Sequence, residues 1–189
     1  MENEGIQFRK IAVVRDPIER FISVFIDKCI DSPRHTSCLG CSDNLECVVR
    51  NVYDRYSNFQ ITNENLAYDD GLTFDDHHFM PQTWYCGFNE HFHEYKIYKY
   101  YASNRSEFIR NLTNDLNHVY DVDKTVVNEI YKQLNERMIG HTTSGSDRHR
   151  NNTQSLLSRP DLLKKLLHLY YFDFKMFNIS MDMYFDKIK

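Results

Sequence analysis

The chain is expected to fold as an α/β protein, a parallel sheet flanked by helices, and three observations carry that expectation. A β-branched run, Ile11, Val13 and Val14, has the composition of a strand covered on both faces, as strands in parallel sheets are. It leads directly into a helix start. A second strand pattern, Tyr95 to Tyr100, lies far downstream, with segments of helical periodicity between and after.

The elements follow in order. After the first strand, Asp16 takes the N-cap position, Pro17 the first helical position and Glu19 the third, a capping box with the favoured proline. Ile18, Phe21, Ile22 and Phe25 follow at helical spacing. Arg15 stands at the turn, where helix amides and the helix dipole favour an anion and a guanidinium can grip one bidentately. Ser23, in the second helical turn, adds a hydroxyl. The bland reading of Arg15, Asp16 and Glu19 is capping and surface charge. A cysteine-rich loop with Pro33 and Gly40 then runs from Asp31 to Ser42. Asp43 and Glu46 form a second capping box, and the helix it starts puts Leu45, Val48, Val49, Val52 and Tyr56 on one face.

Residues 57–76 read as a surface loop. Helices are expected from about Ser106 to Tyr120 (Phe108, Ile109, Leu112, Leu116) and from about Lys124 to Met138 (Val127, Ile130, Tyr131, Leu134), the latter capped by Gly140. His141 to Ser155 contains no apolar side chain and reads as a loop. Ser158 and Asp161 open a last helix with Leu163, Leu166, Leu167 and Tyr170 inward.

A length of 189 residues suits one domain, residues 1–189, and 13 Phe, 13 Tyr and 41% hydrophobic content predict a packed globule. A net charge of −4 gives no global reason to bind nucleic acid, so any anion site is local. No apolar run approaches the roughly 18 residues that span a bilayer. The opening MENEGIQFRK is polar and mixed in charge, unlike a signal peptide. Two features oppose a reading without secretion. Cys29, Cys38, Cys41 and Cys47 cluster, with Cys86 apart, and four sequons begin at Asn104, Asn111, Asn151 and Asn178. Cys38 and Cys41 have the spacing of zinc ligands, but no second such pair or nearby His pair accompanies them. Disulfides are the favoured reading, with one thiol left over whose partner is expected upstream of Met1.

The segment V-R-D-P-x-E-R-F-x-S, Val14 to Ser23, resembles the 3′-phosphate-binding segment of sulfotransferases that use 3′-phosphoadenosine 5′-phosphosulfate. The resemblance is to the Golgi carbohydrate sulfotransferases, in particular chondroitin sulfotransferase-like proteins of a nematode-type branch. It implies that Arg15 and Ser23 hold the cofactor's 3′-phosphate, with Arg20 matching the motif's second arginine. A second segment, D-x-H-H-x-x-P-Q-x-x-x-C from Asp75 to Cys86, is similar to one lining the family's active-site cleft. Transfer of a sulfuryl group requires a base for the acceptor hydroxyl, and histidine suits that task near neutral pH. His78 is the preferred base by its distance to Pro81, and His77 the other. Their bland reading is a loop pair of surface or metal-binding character. Trp84 and Tyr85 read equally as sugar-stacking or core aromatics. Arg148 and Arg150, with Ser144, Gly145 and Ser146, make a basic loop that the resemblance places over the nucleotide; without it, the run is a solvated loop. The pattern Y-x-x-D-F-x-x-F, Tyr170 to Phe177, matches the family's closing helix and reads as structural packing.

The resemblance also implies a P-loop-NTPase-like fold and a phosphate-cradling loop upstream of the first strand. Only Met1 to Phe8 precede that strand, and they hold no such loop. An N-terminally truncated domain, lacking the P-loop strand and leaving an uncovered sheet edge and apolar face, is therefore expected. The implied activity is transfer of sulfate from 3′-phosphoadenosine 5′-phosphosulfate to a glycosaminoglycan hydroxyl, chondroitin-like, with no metal, in the Golgi lumen, and with a membrane anchor only upstream. Two alternatives stand beside it: a non-catalytic relative that keeps only a 3′-phosphate half-site, and a cysteine-stapled interaction or zinc module.

Overall fold

The computed structural model describes residues 10–31, 38–59, 72–136 and 146–188. Strand β1 (Lys10–Arg15) pairs in parallel with β2 (Tyr95–Tyr100), Lys10 opposite Tyr95 and Arg15 opposite Tyr100. Only these two strands occur among the described residues. Burial on both faces does not hold. Successive side chains alternate between faces, and the helices cover one of them: Val14 is 3% exposed, whereas Ile11 and Val13 on the other face are 43% and 53% exposed.

Helix α1 (Pro17–Val24) begins as its sequence dictates. Asp16 Oδ1 accepts from the amides of Ile18 at 2.9 Å and Glu19 at 3.0 Å, which satisfies two of the helix's orphan donors. Ile18, Phe21 and Ile22 are buried, and a π-helical turn (Phe25–Asp31) extends the helix and buries Phe25, Ile26 and Cys29. Helix α2 (Leu45–Tyr56) starts one residue later than the expected box implies. Its cap is Asn44, whose Oδ1 accepts from the Cys47 amide at 3.0 Å. Glu46 turns instead to Arg50 and Arg159, at 2.7 and 3.0 Å. Val48, Val49, Val52 and Tyr56 form the buried face.

Two short turns, α3 (Asp76–Phe79) and α4 (Phe88–His91), precede β2. Asp76 is fully buried and ties α3 to α2: it accepts from Arg55 Nε at 2.5 Å, Tyr56 Oη at 2.5 Å and the Thr73 hydroxyl at 2.8 Å. Burial alone would raise its pKa, but these bonds outweigh burial and hold the carboxyl below the usual range. Helix α5 (Arg105–His118) closes a small second core on β2 from Tyr98, Phe108, Ile109 and Leu112. Helix α6 (Lys124–Glu136) packs on α5, and the Gly140 cap lies outside the described residues.

The polar run after it is not all loop. Asp147–Leu157 is helix α7, capped by Ser146 Oγ, which accepts from the His149 amide at 3.1 Å. Only His149 and Leu156 of this helix are buried, so it carries no apolar periodicity to announce it. Helix α8 (Pro160–Leu169) starts at a proline following Arg159, not at a Ser158 cap. It packs Leu162, Leu163, Leu166 and Leu167 against the main core, followed by α9 (Tyr171–Met176) and α10 (Asp182–Phe185). Burying each such leucine or phenylalanine contributes about 1.5–3 kcal/mol.

Cys29 pairs with Cys38 and Cys41 with Cys47, leaving Cys86 as an exposed free thiol. The two cysteines of the zinc-like spacing thus enter different disulfides. The Cys29–Cys38 bond closes a loop with a sequence separation of 9. Chain-entropy reasoning assigns such a loop about 2–3 kcal/mol. A Cys29→Ala, Cys38→Ala double variant is therefore expected to lose about that free energy, measured by urea unfolding followed by circular dichroism, with a somewhat steeper slope because the released chain unfolds to a more open state.

Candidate functional site

The end of β1 and the start of α1 face a cavity of about 430 Å³ lined by Arg15, Asp16, Glu19, Tyr100, His149 and Tyr184, among others. A volume of that order holds a ligand of small-molecule size. Arg15 Nη1 donates to Ser23 Oγ at 2.8 Å, Nη2 lies 3.3 Å from Glu19 Oε2, and the guanidinium carbon stands 6.0 Å from the centre of the Tyr100 ring. The two residues that the sequence pairs as anion ligands are thus in direct contact.

The main chain of Arg15 is held as firmly as its side chain. Its amide donates to Gln82 Oε1 at 2.9 Å, and its carbonyl accepts from Gln82 Nε2 at 2.8 Å. Gln82 is pinned in turn. Its own amide donates to Asp173 Oδ2 at 2.7 Å, while the Thr83 amide and hydroxyl donate to Asp173 Oδ1, each at 2.8 Å. Asp173 is fully buried. Burial pushes its carboxyl up, and the three donors pull it partly back. The closing motif therefore does more than pack apolar rings, since its carboxylate fixes the Pro–Gln turn that fixes Arg15.

Arg20 has a related positioning task. Nη1 donates to the Met80 carbonyl and Nη2 to the His78 carbonyl, both at 2.8 Å. His78 Nδ1 lies 2.7 Å from the Phe74 carbonyl, and its ring stands 4.4 Å from that of Phe74. The His77 carbonyl accepts from Tyr85 Oη at 2.7 Å. Neither histidine lines the Arg15 cavity. Trp84 stacks on Phe59 at 5.5 Å and meets Tyr56 edge-on.

Arg148 and Arg150 sit on α7 and Ser146 caps it, while Ser144 and Gly145 lie outside the described residues. Arg148 pairs with Asp31 and Arg150 with Asp147, both at the surface. The residue between them does reach the cavity. His149 Nε2 stands 3.3 Å from Glu19 Oε2. Burial pushes its imidazole below the ordinary value, Arg15 acts in the same direction, and Glu19 opposes both. Sequence reasoning missed His149; its one signal is a histidine three residues after a capping serine, on the helix face that carries Leu156.

Comparison with known proteins identifies the family. A family model described as the sulfotransferase family matches residues 2–180. The chain belongs to the sulfotransferase family. Relatives of this family member include the carbohydrate sulfotransferase chst-1 of Caenorhabditis elegans, 30% identical over 179 residues, covering 92% of this chain and 53% of that protein. The uncharacterized protein C18B2.2 is 29% identical over 88% of the chain and 46% of its own length. The putative sulfotransferase vep-2 is 26% identical over 71% and 41%; both come from the same organism. The chain spans about half the length of the curated relatives it matches. No solved structure matches it. Among the described residues of this sulfotransferase-family chain, no group of three or more His, Cys, Asp or Glu is placed to hold a metal, and no helix is long and apolar enough to cross a membrane.

Proposed function

We propose that this chain forms the 3′-phosphate-binding part of a carbohydrate sulfotransferase domain that sulfates a glycosaminoglycan hydroxyl, chondroitin-like, in the Golgi lumen. The observation that carries the reading is the Arg15–Ser23 contact of 2.8 Å, made by an arginine that lines the 430 Å³ cavity. 3′-Phosphoadenosine 5′-phosphosulfate supplies the sulfuryl group. Arg15 offers the nucleotide's 3′-phosphate a fork of charged donors, and the start of α1 adds its dipole. Ser23, in contact with Arg15, adds its hydroxyl to the same phosphate. Arg20 holds the His78 and Met80 carbonyls, and thereby positions His78 or His77 to take the acceptor proton. Arg148, Arg150 and Ser146 flank His149, which lines the cavity, and we assign them to the nucleotide although none of the three lines it. The parallel pair β1–β2 suits a P-loop-like fold in which a further strand pairs with the edge of β1 and further helices cover Ile11 and Val13; that the named relatives are about twice as long supports this. The disulfides and sequons support a secretory location.

One observation favours a second reading, a non-catalytic relative that only binds the nucleotide: His77 and His78 do not line the cavity. Incubation with labelled 3′-phosphoadenosine 5′-phosphosulfate and chondroitin separates the two. Label in the polysaccharide is the expected result. Binding of adenosine 3′,5′-bisphosphate without transfer selects the second reading, and neither binding nor transfer refutes both.

A further inference from the structure

The cavity at the end of β1 contains one polar atom that the fold leaves unsatisfied. His149 is 7% exposed, and its Nε2 has no hydrogen-bond partner although Glu19 Oε2 lies 3.3 Å away. The same carboxylate oxygen is 3.3 Å from Arg15 Nη2. One anionic oxygen thus stands between a guanidinium and an imidazole at the start of a helix. Buried polar atoms are rarely left unpaired, and one behind a movable carboxylate, on a residue that lines a cavity, becomes open to a ligand when that carboxylate leaves. Glu19 is 36% exposed at its side chain, so it can swing to solvent when a stronger anion arrives.

We propose that His149 is a third ligand of the anion bound by Arg15, and that Glu19 Oε2 holds a phosphate oxygen's place until the nucleotide displaces it. The inference rests on the reading of Arg15 and Ser23 as the 3′-phosphate site. Displacement exchanges a carboxylate for a phosphate of higher charge, and the imidazole takes one proton from the buffer as it hydrogen-bonds the new oxygen.

The pH dependence follows from linkage. Burial keeps His149 below its ordinary value in the free protein, and the bound phosphate raises it. A group whose pKa rises on binding strengthens binding fully below the free-state value, and that contribution is lost as pH rises through the bound-state value. The other groups facing His149 are Glu19 and Asp16 from α1, Arg15 from β1, Tyr100 and Tyr101 from the end of β2, and Tyr184 from α10. Its neighbours on α7, Arg148, Arg150 and Asp147, are engaged in surface pairs. Burial pushes Tyr101 and Tyr184 up, away from the window.

Calorimetric titration with adenosine 3′,5′-bisphosphate from about pH 6 to about pH 8.5 tests this, using two buffers of different ionisation enthalpy to count protons. The wild-type chain is expected to bind roughly tenfold more tightly at the acid end and to take up a proton. His149→Gln loses that gain and the uptake, while matching wild type at the alkaline end. The phosphate's own ionisation, near pH 6, is common to both proteins and cancels. Glu19→Gln, which removes the competing carboxylate, is expected to bind several-fold more tightly than wild type. Should His149→Gln fail to fold, the wild-type proton count and Glu19→Gln decide the matter. Equal affinity and equal pH slope in wild type and His149→Gln overturn the role of His149 alone. Absence of nucleotide binding by wild type, or binding indifferent to Arg15→Ala, overturns the 3′-phosphate reading itself.

Discussion

Arg15→Ala is expected to weaken binding of adenosine 3′,5′-bisphosphate by a hundredfold or more. A hydrogen bond to a charged group contributes about 1.5–3 kcal/mol, and a bidentate fork makes two. At about 1.4 kcal/mol per tenfold, their loss exceeds roughly two orders of magnitude. The guanidinium is also preorganised, because Ser23 holds its Nη1 and Gln82 clamps its main chain on both sides. Little of its binding strength is therefore spent on ordering. Two companions sharpen the result. Arg15→Lys keeps the charge without the fork and falls between. Ser23→Ala loses a supporting hydroxyl, about 0.5–1.5 kcal/mol, or less than about fifteenfold. The Arg15–Glu19 pair reaches solvent, so Arg15→Ala costs about 1 kcal/mol of stability or less. Calorimetry on variants whose thermal unfolding matches wild type is the measurement. Wild-type affinity in Arg15→Ala would place the anion elsewhere, beside Arg148 or Arg150 for instance.

What the sequence displays is what local chemistry decides. The β1–turn–α1 unit is readable because Asp16, Pro17 and the Ile18–Phe21–Ile22 face act within a few residues of one another. The start of α2 is readable only to within one residue, since Asp43 and Asn44 are adjacent candidates for one cap. Helix α7 is hidden because its single cap, Ser146, lies inside a polar run that continues to Ser155 and only two of its side chains are buried. His149 lies between two surface arginines. Its burial comes from α7 lying against α1, a contact that no window of sequence contains. Ile11 and Val13 show the opposite error: a β-branched run signals a strand but does not say how many of its faces are covered.

The clamp behind Arg15 has a partial signal in the sequence. An aspartate among Tyr170, Phe174 and Phe177 puts a charge on a core face, and a buried aspartate is almost always paired. Pattern alone identified the helix. It did not identify the partners, Gln82 and Thr83, which lie 91 and 90 residues away in the chain.

Removing that carboxylate is expected to have the largest effect on stability. Asp173→Ala leaves three buried donors facing a void: the amides of Gln82 and Thr83 and the Thr83 hydroxyl. Each unsatisfied buried donor costs about 1–3 kcal/mol, and partial entry of water brings the total to about 3–5 kcal/mol. Asp173→Asn separates charge from geometry. Its oxygen can still accept from Thr83, but its amide group meets the Gln82 amide donor to donor, so about half the loss is expected. Urea unfolding followed by circular dichroism reads both values, and wild-type stability in Asp173→Ala would show that the clamp carries no load. The effect should also travel. With Asp173 gone, the Gln82 turn loses its anchor and Arg15 its main-chain clamp. Whatever fraction of Asp173→Ala remains folded in the cold is therefore expected to bind adenosine 3′,5′-bisphosphate roughly three- to tenfold more weakly than wild type. Gln82→Ala should reproduce the weakening of binding with a smaller loss of stability, because it unpairs Arg15 without unpairing Asp173 from Thr83. That split, stability lost chiefly at Asp173 and affinity at both, is what a positioning chain from α9 through the Pro–Gln turn to Arg15 requires.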